Sequence, residues 1–395
     1  MYQRPYFKKV KDRLAEQRNF IQVILGPRQV GKSTLINQVL SEIKTPHVYI
    51  SADGQEASGK VWLDQQWEAV RIKMKQGKAK EYILVIDELQ KIDNWSEITK
   101  MNWDKDTIEN RNIKVVLLGS SRMLLQQGLS ESLAGRFETI YMGHWSFTEM
   151  HDAFGWDVNQ FVWFGGYPGA ASLIQDEERW KNYVLNSLIE TSVSKDILML
   201  TRVDKPALLK RLFEIGCLYS GQVLSFNKIL GQHLEVGNTT TLAHYLDLLN
   251  SAGLLAGLQK YSNNMIRERS SSPKFQVHNT ALISAQKIES FNEVMGQPAI
   301  WGRWVESSIG AHLLNNTFGK PHQNLYYWRN GNEEVDFVLE IKGKVIGLEV
   351  KSGNAQRKSG MLAFSKMMQP DKTLLIGKEG IPWKDLLKME ATDLL

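Results

Sequence analysis

The run FIQVIL at positions 20–25 leads directly into Gly26-Pro27-Arg28-Gln29-Val30-Gly31-Lys32-Ser33, and the helix former STLINQVLSEI follows. The octet matches G-x-x-x-x-G-K-S/T at every fixed position. Few arrangements accept a strand, a glycine-bounded turn and a helix in immediate succession. Glycine lets backbone N–H groups close on an anion, and the helix N-terminus adds its positive end. Three further apolar runs, HVYISAD, YILVIDE and IKVVLLGSS, alternate with helical stretches up to position 141. Continuous apolar runs bounded by turn signals fit strands buried on both faces, so this region reads as α/β with a parallel sheet.

A loop of this kind cradles a nucleotide phosphate chain, which gives ATP and Mg²⁺ as expected cofactors. The candidate binding residues are Gly26, Pro27, Arg28, Gln29, Val30, Gly31, Lys32, Ser33 and Thr34. Lys32 would reach the β- and γ-phosphates, and Ser33 would ligate Mg²⁺. The run YILVIDE supplies the acids such a site needs. Asp87 would hold the metal through water, and Glu88 would polarise the attacking water. The bland alternative, two acids capping a strand end, is weakened by the intact loop upstream. The next run ends in Ser120 and Ser121, which either sense the γ-phosphate or simply make a turn.

Composition excludes several classes. The chain has 395 residues, 43% hydrophobic and 23% charged, as in ordinary globular proteins. Its formal net charge of +5 permits nucleic-acid contact without demanding it. The lone cysteine, Cys217, excludes an internal disulfide or a multi-cysteine zinc site, and its apolar surroundings read as a buried thiol. No leader-like N-terminus and no membrane-spanning apolar run is read, so a cytoplasmic protein without membrane partners is expected. Four regions are expected: a core at 1–144, a helical lid and connector at 145–205, a winged-helix-like region at 206–285, and an α/β domain at 286–395.

In the third region two capped helices and a hairpin succeed one another, with NNMIRERSSSP at the hairpin tip. The second helix would present Thr240, His244, Asp247 and Asn250. It carries no arginine or lysine, while Arg267 and Arg269 lie on the wing. Because phosphate contacts dominate affinity for DNA, a packing or self-association role stands beside a nucleic-acid role.

The last region contains EVDFVLEIKGKVIGLEVKSG. Alternation around Lys342-Gly343 predicts a hairpin pairing Ile341 with Lys344, Leu339 with Ile346 and Phe337 with Leu348. Asp336 then faces Glu349, and Lys351 shares their side. Two opposed acids are costly unless a cation lies between them. Asp336, Glu349 and Lys351 match the D…E-x-K core of the PD-(D/E)xK nuclease fold, in which the acids hold Mg²⁺ and the lysine helps activate water. Glu306 fits the accessory acid, and Tyr326, Tyr327, Trp328 and Arg329 could contact a nucleotide strand. The rival reading is a solvated E-x-K pair on an inactive domain.

Together GPRQVGKSTL, LVIDELQKIDNWSEITK, LLGSSRMLL, LAGRFETIYMGHWSFTEM, GGYPGA, SSPKFQVHNTAL and YYWRNGNEEVDFVL resemble a large group of prokaryotic AAA-type ATPases with a C-terminal domain of unknown function. The departures are GHWSF, where the group usually has a proline before its Ser-Phe, and GGYPG, where an acid often follows the proline. The resemblance implies ATP binding and hydrolysis. In such folds Arg136, or its competitor Arg122, can reach a γ-phosphate in its own subunit or across an interface, the alternative for Arg136 being a surface salt-bridge arginine. The expected function is an ATPase whose nucleotide state controls a nuclease-like domain acting on DNA or RNA. The alternative is an ATP-gated signalling or scaffold switch that binds a protein partner. A small-molecule kinase is disfavoured.

Overall fold

Each apolar run of the N-terminal third is a strand. The computed structural model describes residues 1–54, 59–120, 129, 132–200, 203–233, 238–262, 271–351 and 359–395. The chain divides into two compact units, Met1–Met142 and Gly143–Leu395.

In the first unit β1 (Ile21–Leu25), β2 (His47–Ser51), β3 (Tyr82–Asp87), β4 (Ile113–Gly119) and β5 (Phe137–Tyr141) form one sheet in the order β2-β3-β4-β1-β5. All neighbours run parallel. The central strands β1, β3 and β4 are buried throughout, and the edge strands are only partly so. Alternate residues feed two cores. Ile21, Val23, Leu84, Ile86 and Leu117 pack with α3 (Gly59–Gln76) and α4 (Trp95–Ile108) through Trp67, Ile98 and Trp103. Ile24, Ile83, Val85 and Val116 pack with α1 (Tyr6–Ala15) and α2 (Lys32–Glu42) through Val10, Leu35 and Val39. Each fully buried branched side chain contributes about 1.5–3 kcal/mol, which offsets the ordering of the connecting helices. Because β4 lies between β1 and β3, the segments that follow these three strands emerge along one edge, where parallel sheets bind ligands.

The second unit begins with helices, among them Phe226–His233 and Thr239–Ser251, followed by antiparallel β6 (Leu255–Leu258) and β7 (Lys274–Val277). That succession of elements is the expected one, although Arg267 and Arg269 lie outside the described residues. Asn250 was expected on an exposed reading face. It instead accepts a bond from His278 Nε2 at 2.8 Å, because its helix turns that position toward the β7 end. Cys217 is buried, and burial pushes its thiol up.

Beyond the helix Pro298–Thr317 come β8 (Gln323–Asn330), β9 (Glu333–Ile341), β10 (Lys344–Lys351) and β11 (Lys372–Gly377), in the sheet order β11-β10-β9-β8. Ile341 pairs with Lys344, Leu339 with Ile346 and Phe337 with Leu348, the register expected from the apolar alternation. Lys342 and Gly343 both take positive φ, 51° and 81°, as a two-residue turn matched to strand twist requires.

Candidate functional site

The loop between β1 and α2 turns on two glycines, Gly26 and Gly31. Gly26 cannot be replaced, because a Cβ there would lie 2.1 Å from the Met142 carbonyl oxygen. Gly31 takes φ 87° just before the first turn of α2, a conformation that side chains resist. Val30 is fully buried in the core, and its carbonyl accepts from Arg4 Nη1 at 3.0 Å. Pro27 is also buried, while Gln29 and Thr34 face solvent and Arg28 is half-buried. Lys32 lies across the loop, donating to the Gly26 and Pro27 carbonyls at 2.9 and 2.8 Å.

Ser33 donates to Asp87 Oδ2 at 2.7 Å, joining the start of α2 to the end of β3. Tyr49, one strand further out on β2, donates to the same oxygen. Burial and that bond raise the Tyr49 phenol above its usual range, so it remains a donor. The Glu88 N–H donates to Asp87 Oδ1 at 2.9 Å, and Glu88 itself takes φ 54°. That left-handed bend separates its carboxylate from Asp87. Gln90 Nε2 meets Glu88 Oε2 at 2.7 Å and Ser120 Oγ at 3.1 Å. Hence Lys32, Ser33, Asp87, Glu88 and Ser120 share one sheet edge. Tyr49 and Gln90 join them, although the sequence reading did not single them out. Ser121 and Arg122 lie outside the described residues.

Residues 18–151 match the family model described as an AAA domain. The N-terminal unit carries an AAA-type domain. Residues 155–291 and 301–385 match two models described as domains of unknown function, DUF8612 and DUF4143. No curated protein matches the chain. Among solved structures, the Aeropyrum pernix ORC1 protein in complex with DNA is 12% identical, with 73% of this chain and 93% of that one covered, at a TM-score of 0.31. The replication initiator DnaA bound to AMPPCP and single-stranded DNA is 16% identical, with 62% and 86% covered, at 0.33. Thermotoga maritima RuvB is 17% identical, with 64% and 85% covered, at 0.33. Likeness this distant carries neither fold nor activity across.

Arg136 of the AAA domain needs a correction. Its carbonyl accepts from the Ile21 N–H at 2.8 Å, so it lies where β1 begins, whereas the phosphate loop lies where β1 ends. Five residues of strand, about 16 Å, separate the two ends. Its guanidinium forks onto Asp104 at 2.8 and 3.1 Å. It therefore cannot reach a γ-phosphate in its own subunit. Arg136→Ala should leave ATP affinity within about twofold of wild type and cost about 0–1 kcal/mol of stability, as an exposed pair does. Titration of dilute protein with a fluorescent ATP analogue checks the first part.

In the second unit Asp336, Glu349 and Lys351 share one face of the sheet. Asp336 Oδ2 accepts from the Val350 N–H at 2.7 Å, and Lys351 Nζ meets Glu349 Oε1 at 2.5 Å. Burial, then the Asp336 charge, pushes Glu349 up to about 7. The expected three-acid metal set of Glu306, Asp336 and Glu349 is corrected. Among the described residues no group of three or more His, Cys, Asp or Glu side chains could hold a metal ion. Among these acids lies Lys274, fully buried, whose ammonium meets Glu306 Oε1 at 3.0 Å and lies 3.7 Å from Glu334 and 3.8 Å from Asp336. Burial alone would lower the Lys274 pKa, but Glu306, Asp336 and Glu334 together raise it, so it stays charged. Tyr327 and Trp328, read as base-stacking candidates, are buried: Tyr327 donates to the Ser272 carbonyl and Trp328 packs on Phe364. Tyr326 contacts Glu340, and Arg329 remains exposed.

The Glu349 shift has a testable sign. A carboxyl raised in the folded state holds its proton more tightly there, so its ionisation costs stability across the window from the ordinary value to about 7. Glu349→Gln should melt like wild type near pH 4.5 and at a higher temperature at pH 8, read by circular dichroism.

Proposed function

We propose that the chain is a Mg²⁺-dependent ATPase, cytoplasmic, whose nucleotide state governs a nuclease-like C-terminal domain. The convergence of Lys32, Ser33, Asp87 and Glu88 on one sheet edge supports the ATPase part. A serine hydroxyl bonded to a carboxylate is an oxygen donor pair suited to a hard cation, and the two glycines leave the loop open to phosphate. Bound ATP and Mg²⁺ would supply the γ-phosphoryl group and its charge neutralisation. Lys32 exchanges its loop carbonyls for phosphate oxygens. Ser33 and Asp87 would hold the cation, with Tyr49 fixing the carboxylate. Glu88 accepts the proton of the attacking water, and Gln90 and Ser120 orient it. Phosphate release by purified chain, with Mg²⁺ and with EDTA, tests this: no Mg²⁺-dependent release would sink it.

In the second unit, the shared face of Asp336, Glu349 and Lys351 supports a PD-(D/E)xK-like layout with DNA or RNA as substrate. The helix–helix–hairpin succession before it supports a winged-helix-like reading. Self-association, with Arg136 acting on a neighbouring copy, predicts that a mixture of Arg136→Ala and Lys32→Ala regains turnover. A second reading, the ATP-gated switch with a protein partner, is favoured by Lys274, which fills the acid cluster. Nicking of plasmid DNA with ATP and Mg²⁺ or Mn²⁺, lost in Asp336→Asn, would support the nuclease. ATP turnover without cleavage of DNA or RNA would support the switch.

A further inference from the structure

Lys274 opens β7, far from the acids in sequence, and not one of its atoms reaches solvent. Burying an ammonium is expensive unless carboxylates surround it and its protons find acceptors. Here both conditions hold. Glu306 Oε1 accepts at 3.0 Å and the Asp336 backbone carbonyl at 3.1 Å, while Glu334 and Asp336 carboxylate oxygens lie at 3.7 and 3.8 Å. The Phe337 ring completes the enclosure, its centroid 4.8 Å from the nitrogen. The acids come from the helix Pro298–Thr317 and from β9, and the lysine comes from the preceding hairpin.

We propose that Lys274 is the resident counter-cation of this cluster, standing where a divalent ion would have to bind, so that the C-terminal acids hold an ammonium in place of a metal. The inference rests on the switch reading and supplies its physical basis. A divalent ion between Glu306 and Asp336 would meet a fixed positive charge less than 4 Å away. Lys274 itself is fully buried. With Glu306 and Asp336 engaged, Glu349 is left to Lys351. The arrangement also joins two stretches that match separate family models, since the lysine lies in 155–291 and the acids in 301–385.

The test is a Mn²⁺ titration of the nucleotide-free full chain, followed by electron paramagnetic resonance. Wild type and Asp336→Asn should give the same curve, because neither binds Mn²⁺ in the cluster. Lys274→Met should gain one Mn²⁺ site, at least ~10-fold tighter than any wild-type binding and lost again on adding Glu306→Gln, as expected when a carboxylate set loses its internal cation. Lys274→Arg should stay Mn²⁺-silent. A wild-type Mn²⁺ ion that Asp336→Asn loses would overturn the proposal, as would a folded Lys274→Met that gains no site. If Lys274→Met does not fold, the comparison of wild type with Asp336→Asn still decides. A Mn²⁺-silent wild type that cleaves DNA would sink the switch reading and leave this inference standing. Mn²⁺ in the cluster without cleavage would do the reverse.

Discussion

Lys32→Ala should abolish ATP binding and turnover while the chain keeps its fold. The ammonium is held over the phosphate loop by the Gly26 and Pro27 carbonyls, so it is already positioned for phosphate oxygens. Hydrogen bonds to charged groups are worth about 1.5–3 kcal/mol each, and two of them correspond to a loss of about 100-fold or more in affinity. What the fold loses is smaller. The two carbonyls belong to a loop at the sheet edge. The core beneath the loop is made by Val30, Leu35 and Ile36, which the substitution does not touch. Calorimetric titration with ATP, beside a circular dichroism melt, reads both parts. Unchanged ATP affinity in the variant would remove the ATPase proposal at its base.

The parts of this molecule that could be read from sequence are those set by local periodicity. The β1–loop–α2 unit is one: its strand, its glycine turn and its helix lie within 22 residues of each other. The β9–β10 hairpin is another, because a slip by one residue would turn Phe337, Leu339 and Ile341 to the polar face. What stayed hidden depends on which strands become neighbours. Parallel strands are joined through helices, so nothing local says that β4 separates β1 from β3, or that Tyr49 on β2 reaches Asp87. Arg136 was misplaced for a related reason: it precedes β5, and a strand parallel to β1 puts its leading residue at the edge away from the loop. Tyr327 and Trp328 are adjacent yet both buried, because an irregularity between Tyr326 and Trp328 breaks the alternation that would expose one of them. Lys274 gave no signal at all. In KFQVH it reads as the polar start of a strand, and only the packing of β7 against the helix Pro298–Thr317 reveals its carboxylate partners.

Glu88→Gln should keep ATP affinity and slow hydrolysis by at least ~100-fold, the range expected for loss of a general base. The reasoning starts from the backbone. Glu88 bends into the left-handed region directly after β3, and its N–H is tied to Asp87 Oδ1. Asp87 is thereby committed to Ser33, while the Glu88 carboxylate meets Gln90, which also reaches Ser120 at the end of β4. Two adjacent acids thus have two different neighbourhoods. In the proposed reaction one would hold charge in the ground state, and the other would take the proton of the attacking water. Glutamine has the same shape and can still meet a polar neighbour, so the loop, Lys32 and Asp87 keep their grip on nucleotide. What it cannot do is accept a proton, and that deficit appears only in the transition state. Single-turnover phosphate release, measured beside equilibrium ATP binding, separates the two. Loss of binding would mean that Glu88 holds the ground state. Normal turnover would place the base elsewhere on the sheet edge.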